Sequence, residues 1–192
     1  MSKDVMHKFF RTATLALAVV GAVAAVVAFA NRMSDGVIPA HAQAVPPAVW
    51  TAVGSTGAVD EGSLGRFAFT NASAGYLPAT ASVDPLEFRY NVTNTFDNNA
   101  NPNIPGWTAL QLGAVAPGNS LVTAQLYRVD PCTGAQTVIC QTRVAGTAGG
   151  TCTKCTFAAN AVDFGLANYY VRVVVDRSVL AENPLLHTLR IQ

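Results

Sequence analysis

From about residue 62 onward, apolar and polar side chains alternate in short runs. LEFRYNVT (86–93) places Leu86, Phe88, Tyr90 and Val92 on one face and Glu87, Arg89, Asn91 and Thr93 on the other. A period of two is what a half-buried strand requires, because successive side chains leave a strand on opposite sides. NYYVRVVVD (168–176) sorts Tyr169, Val171, Val173 and Val175 from Tyr170, Arg172, Val174 and Asp176. LLHTLRI (185–191) sorts Leu185, His187, Leu189 and Ile191 from Leu186, Thr188 and Arg190. Further strands are expected at 65–70, 107–115, 120–129, 136–144 and 155–159. Turn residues separate them at Pro117-Gly118-Asn119, Asp130-Pro131-Cys132-Thr133-Gly134, Gly149-Gly150 and Glu182-Asn183-Pro184. No segment after residue 45 has a helical period. The pattern predicts an all-β fold, an antiparallel β-sandwich or jelly roll of about seven to nine strands, over residues 63–192.

The beginning of the chain breaks this pattern. Lys3, Lys8 and Arg11 precede an uncharged run, TATLALAVVGAVAAVVAFA (12–30), in the arrangement of an export signal. Such a run, apolar on every side, would need a large domain around it to be a core helix. Small-x-small sites follow at Ala28-Phe29-Ala30 and at Ala40-His41-Ala42. Residues 1–42 are therefore expected to be a signal peptide, or a signal anchor if 12–30 stays in the membrane. Either way the rest of the chain is delivered outside, because the positive charges lie before the apolar run. No twin-arginine pair is present, so the general secretory route is expected. Residues 43–62, with Pro46 and Pro47 and many small residues, read as a linker. Trp50 is its one large anchor, able to dock on the domain, and Ala48–Val53 can pair as a strand with another copy.

Charge narrows the function. The chain has 12 Lys+Arg and 11 Asp+Glu. After residue 42 the balance is 8 basic against 9 acidic residues, which gives no surface for tracking phosphates and excludes nucleic acid as a partner. Only 12% of residues are charged, about half the usual share, and polarity comes instead from Asn, Thr, Ser and Gln.

The four cysteines, Cys132, Cys140, Cys152 and Cys155, all fall in the expected domain, and an even count in an exported chain predicts disulfides. The local pairs Cys132–Cys140 and Cys152–Cys155 are favoured, and the crossed pairings stay open because Cys140 and Cys152 can sit on adjacent strands of a hairpin. A four-thiolate zinc site is disfavoured because only one short CxxC pair is present. A redox Cys-Thr-Lys-Cys is disfavoured because its surroundings, GTAGGTCTKCTFAAN, are β and loop.

Catalytic chemistry has little to stand on. After residue 42 the single histidine is His187, on an apolar strand face, where a structural hydrogen bond explains it. The nucleophile, zinc and phosphate motifs with fixed spacing are absent from the sequence. The carboxylates Asp60, Glu61, Asp84, Glu87, Asp97, Asp130, Asp163, Asp176 and Glu182 are scattered. One stretch, Asp97-Asn98-Asn99-Ala100-Asn101-Pro102-Asn103, offers side-chain oxygens at Asp97, Asn99, Asn101 and Asn103, the kind of loop that holds calcium. It has one carboxylate and lacks an EF-hand's glycine and closing glutamate, and the competing expectation is that these side chains cap their own turns. Calcium is the only cofactor suggested. Asn71-Ala72-Ser73 and Asn91-Val92-Thr93 fit the N-glycosylation pattern. Aromatics for a sugar platform would come from Trp50, Trp107, Tyr76, Tyr127 or Tyr170; Tyr76 and Tyr170 are expected at the surface and Trp107 in the core.

From LVTAQLYRVD through NYYVRVVVD to PLLHTLRIQ, the chain resembles bacterial secreted β-sandwich modules of the pre-peptidase C-terminal type. A strand ending in a polar turn precedes an aromatic-Tyr-Val-Arg-Val strand and a final short strand. The resemblance rests on strand patterning, covers about half of the domain, and implies an accessory, non-catalytic module. The cysteines depart from the family and no protease domain accompanies the module. Taken together, the expected function is a non-enzymatic extracytoplasmic β-sandwich, secreted, periplasmic or on the cell surface, that binds an envelope or extracellular protein or glycan or acts structurally. The alternative is a self-assembling filament or surface-layer subunit using strand addition by 43–62. A secreted hydrolase is the least supported reading.

Overall fold

The alternating stretches pair into nine antiparallel strands in a computed structural model, which describes residues 49–94, 101 and 103–192. The expected leader, with its apolar run 12–30, lies outside the described residues. The strands are β1 (Trp50–Val53), β2 (Ala58–Val59), β3 (Phe67–Thr70), β4 (Ser73–Tyr76), β5 (Leu86–Val92), β6 (Ala109–Val129), β7 (Gln136–Thr156), β8 (Asn168–Asp176) and β9 (Leu185–Ile191). Among the described residues the helical elements are two short 3₁₀ turns, Gly54–Thr56 and Glu61–Ser63.

Two long strands make the fold. β6 and β7 pair along most of their 21 residues each, with register shifts around Ala114–Leu121. The first half of β6 pairs with β9, from Leu110↔Ile191 to Val115↔Leu185. The second half pairs with β8, from Leu121↔Asp176 to Val129↔Asn168. One ribbon therefore serves two packed layers. Sheet I runs β2–β5–β8–β6–β7, and sheet II runs β7–β6–β9–β4–β3 with β1 also on β9. The sequence predicts separate strands at 107–115 and 120–129, and at 136–144 and 155–159. The structure instead carries each ladder through its corner, because turn residues inside a ladder can bend a strand without ending it. Gly118 has φ 61°, and a Cβ built there would lie 2.0 Å from Glu182 Oε1. The same carboxylate accepts from Asn119 N at 2.7 Å and, through Oε2, from Ser178 N at 3.0 Å. Glu182 thus ties the β6 corner to the loop between β8 and β9.

The core lies between the layers. Leu86, Phe88, Tyr90 and Val92 of β5 and Tyr169, Val171, Val173 and Val175 of β8 are all buried, as their alternation requires. Each fully buried aliphatic or aromatic side chain contributes about 1.5–3 kcal/mol. β9 departs from its expected face: Leu186, Leu189 and Ile191 are buried, while Leu185 and His187 are half-buried. The register shift against Gly113/Ala114 inserts one extra residue in β9, and an extra residue reverses which side chains face inward.

Part of the expected linker lies within the fold. β1 pairs with β9 of the same chain, from Trp50↔Ile191 to Val53↔Thr188. Trp50 is buried, and β2 extends β5. The strand expected to join another copy is thus placed on its own sheet. Tyr76, expected at the surface, is buried. Its ring lies beneath the Arg177 guanidinium at 4.0 Å, so a residue whose flanks read as polar is enclosed by a distant cation.

Candidate functional site

Side chains that leave sheet I on its solvent side form a polar strip across four strands. Register places Arg89 of β5 beside Arg172 of β8, Arg172 beside Gln125 of β6, and Gln125 beside Gln141 of β7. The next row holds Asn91, Tyr170, Tyr127 and Val138. Neighbouring strands run about 4.8 Å apart, so tyrosines facing each other across β6 and β8 must touch. Their rings are parallel within 4°, with centroids 5.0 Å apart. Val138, 42% exposed, extends the apolar surface beside Tyr127.

Hydrogen bonds hold the strip in one arrangement. Tyr170 Oη donates to Gln136 Oε1 at 2.6 Å. Tyr127 Oη donates to Gln125 Oε1 at 3.2 Å, and Gln125 Nε2 donates to Gln141 Oε1 at 2.7 Å. Arg172 donates to the Glu87 carboxylate, and Arg89 Nη2 donates to Glu87 Oε1 at 3.1 Å and to Asp60 Oδ1 at 3.2 Å. Two cations and two anions therefore cancel at the centre of the face. The Glu87 side chain is 17% exposed. The hydrogen bond from Arg172 is the largest influence holding its carboxyl below the ordinary Glu value; burial works the other way, and Arg89 adds to the lowering. The reciprocal bond from Glu87 is the largest influence raising Arg172. Burial pushes the Tyr170 phenol up, and neighbouring Tyr127 adds to that.

This gives a pH prediction. A carboxyl lowered in the folded state contributes stability above its unfolded value, about pH 4.3 for Glu. That contribution is lost as the pH falls through the folded value. Glu87→Gln is therefore expected to be less stable than wild type at neutral pH and to lose less on going below about pH 4.3. Urea midpoints measured along the acid limb check this; parallel curves for the two proteins would refute it.

The structure places the other sequence-predicted residues elsewhere. Asp97 and Asn99 lie outside the described residues. Asn101 Oδ1 accepts from Asn103 N at 3.3 Å, and the Asn103 amide packs at Gly165 beside Asp163. Among the described residues, no group of three or more His, Cys, Asp and Glu is placed to hold a metal. His187 Nδ1 lies 2.7 Å from Ser73 Oγ, and no carboxylate orients its ring among the described residues. Asp130 accepts from Cys132 N and Thr133 N, a turn-capping use of its carboxylate. Asn71, in the first N-glycosylation pattern, sits at the β3–β4 turn with φ 48°, while Asn91, in the second, lies on the strip.

The cysteine pairing is a correction. Cys140 is joined to Cys155, with Cα atoms 5.9 Å apart, while Cys132 and Cys152 are exposed free thiols. Cys152 and Cys155 cannot pair within one extended strand, because residues three apart leave it on opposite faces. Cys155 faces Cys140 between the layers because β7 turns its corner between them. The same separation parts the two sulfurs of the CxxC motif and leaves no fourfold thiolate cluster.

The sequence offers Tyr127 and Tyr170 among its aromatics for a sugar platform, but nothing in it singles out Gln125, Gln136 and Gln141. Isolated glutamines carry no motif, and only the register of β6, β7 and β8 makes them neighbours.

No protein-family model matches the chain, and no curated protein matches it. Among solved structures, the chain is similar to the CBM36-1 domain of a multidomain xylanase from the hindgut metagenome of Trinervitermes trinervoides, at 10% identity, covering 76% of this chain and 97% of that one with a TM-score of 0.47. It is similar to the C-terminal CBM6 of a marine laminarinase from Zobellia galactanivorans, at 10% identity, covering 76% and 99% with a TM-score of 0.47. A carbohydrate-binding module CBM36 solved with calcium and xylotriose is similar at 6% identity, covering 74% and 99% with a TM-score of 0.44.

Proposed function

We propose that this chain is a non-enzymatic binding module that works outside the cytoplasm and holds an uncharged glycan on the solvent face of sheet I. The observation that carries this reading is the Tyr127–Tyr170 pair, parallel and tied by its hydroxyls to glutamine side chains. A sugar ring presents apolar C–H groups on its faces and hydroxyls at its edge. Aromatic carbon packs on the former. Planar amides and guanidinium groups meet the latter with paired donors and acceptors. Gln125, Gln141, Arg172 and Asn91 supply those groups around the rings. Because Arg89 and Arg172 are matched by Glu87 and Asp60, the charged groups beside the tyrosine pair cancel, and Arg143 lies at the far end of the neighbouring row. Its side chains are held by one another before any ligand arrives, which lowers the cost of ordering them on binding.

Affinity electrophoresis of the purified chain through gels containing xylan, galactan or a β-glucan tests the reading. Wild type is expected to be retarded by at least one of these neutral polymers. Tyr170→Ala is expected to weaken that binding about tenfold or more, as loss of a central aromatic contact does, with an unchanged gel mobility in the absence of polymer. Failure of every neutral polymer to retard wild type, or equal retardation of the variant, would overturn it. Calcium is the proposed ligand of the 97–103 loop, and a rise in melting temperature on calcium titration tests it; an unchanged temperature would remove it.

A further inference from the structure

The solvent face of sheet II has a different chemistry from that of sheet I. Its strands, β1, β3, β4 and β9 with residues 109–115 of β6 and 151–156 of β7, contain no Asp or Glu at all. They contain Lys154, His187 and Arg190. Register lines up Lys154, Gln111, Arg190 and Thr51 in one row across four strands. The adjacent row holds Cys152, Gly113, Thr188 and Val53. Lys154 and Arg190 are exposed, and neither meets a carboxylate among the described residues. The two rows border an open groove of about 490 Å³, lined by Thr51, Thr56, Gln111, Cys152, Thr188 and Arg190. That volume lies within the range of about 300–1,000 Å³ for small-ligand sites.

We propose that this groove is a second binding site, on the sheet opposite the neutral strip, for an anionic glycan: a sugar chain carrying carboxylate or sulfate groups. The Arg190 guanidinium, which meets no carboxylate among the described residues, presents the planar fork that grips such an oxyanion in a bidentate manner, and Lys154 adds a point charge further along the row. The three threonine hydroxyls and the Gln111 amide match sugar hydroxyls. Two cations are too few to follow a phosphodiester backbone, and the groove lining has no aromatic ring on which a nucleobase would stack. This site does not depend on the proposed binding at Tyr127 and Tyr170.

Cys152 provides a built-in probe because its thiol is exposed and lines the groove. In the full chain carrying Cys132→Ser, Cys152 is the one remaining free thiol, and an uncharged maleimide reports its accessibility. Saturating polygalacturonate or chondroitin sulfate is expected to slow this labelling; the first polymer reports a carboxylate ligand and the second a sulfate ligand. Neutral galactan is expected not to slow it. Arg190→Gln with Lys154→Gln, both at exposed positions, is expected to weaken binding of the protecting polymer about tenfold, as loss of charge-assisted hydrogen bonds does. Tyr170→Ala is expected to leave the protection intact, which separates this site from the neutral one. Unchanged labelling with both anionic polymers would overturn the proposal. So would equal protection in the double variant, loss of protection on mutating Arg143 on sheet I instead, or a thiol already protected in the absence of polymer, which would mean the protein itself covers the groove.

Discussion

Replacing Arg177 by alanine is expected to cost about 3 kcal/mol and to lower the melting temperature by about 10 °C in a domain of this size. The residue is 4% exposed, yet no carboxylate pairs with it among the described residues. Backbone carbonyls do that work instead. Nη2 donates to Thr80 O at 2.7 Å and to Ser82 O at 2.6 Å, Nε donates to Ser82 O at 3.0 Å, and Nη1 donates to Leu180 O at 3.4 Å. The guanidinium also lies 4.0 Å from the centre of the Tyr76 ring, whose hydroxyl shares its one proton between Asp84 O at 2.9 Å and Val175 O at 3.2 Å. One cation thus fixes the loop between β4 and β5 against the end of β8. Truncation strands acceptors of that loop without donors, and each buried acceptor left unpaired costs about 1–3 kcal/mol. Cation–ring attraction adds about 0.5–2 kcal/mol. Arg177→Lys keeps a charge but cannot reach three separated carbonyls with one ammonium, so it is expected to recover less than half of the loss. Tyr76→Phe is expected to cost less than Arg177→Ala, because the ring stays and only the hydroxyl is lost. Denaturant unfolding at constant m-value measures all three. An Arg177→Ala protein within about 1 kcal/mol of wild type would mean that water replaces the guanidinium and that the clamp is not structural.

Legibility along the sequence followed physical range. β5 and β8 were readable because a strand buried on one face writes a period of two into a short window, and Leu86, Phe88, Tyr90 and Val92 carry it without interruption. The corners of β6 and β7 were readable as glycines and prolines but not as bends within a strand, since the same residues serve a turn and a bulge. β9 misled because one extra residue between Leu186 and Leu189 switches faces, and nothing local marks it. Trp50 reads as an anchor, but the strand it anchors has only four residues, too few to show a period. The candidate sites depend on register over long separations. Tyr127 and Tyr170 are 43 positions apart in sequence and 5.0 Å apart in space. Composition gave a near-neutral net charge and concealed a segregation: the solvent face of sheet I holds the Arg89, Arg172, Glu87 and Asp60 ion pairs, while the strands of sheet II carry cations without a single carboxylate.

Reduction of the Cys140–Cys155 bond is expected to destabilise the domain by about 3 kcal/mol, the value for closing a loop of about 15 residues. The sequence separation is 15. The bond does not create the bend in β7, since β6 is paired on both sides of the corner and Thr142 Oγ1 donates to Thr153 Oγ1 at 2.9 Å across the same gap. Its effect falls instead on the unfolded chain, which loses the freedom to separate these two segments. Cys140→Ala with Cys155→Ala should therefore lower stability as much as reductant does, while reductant should change nothing further in that variant. The cysteine census is a second, independent measurement. Alkylation of the denatured chain without reductant is expected to modify two thiols, Cys132 and Cys152, and with reductant all four. No modified thiol before reduction would mean that Cys132 and Cys152 are also joined. Four modified thiols before reduction would mean that the chain, as isolated, had never met an oxidising compartment, and the placement of this module outside the cytoplasm would fall with the bond.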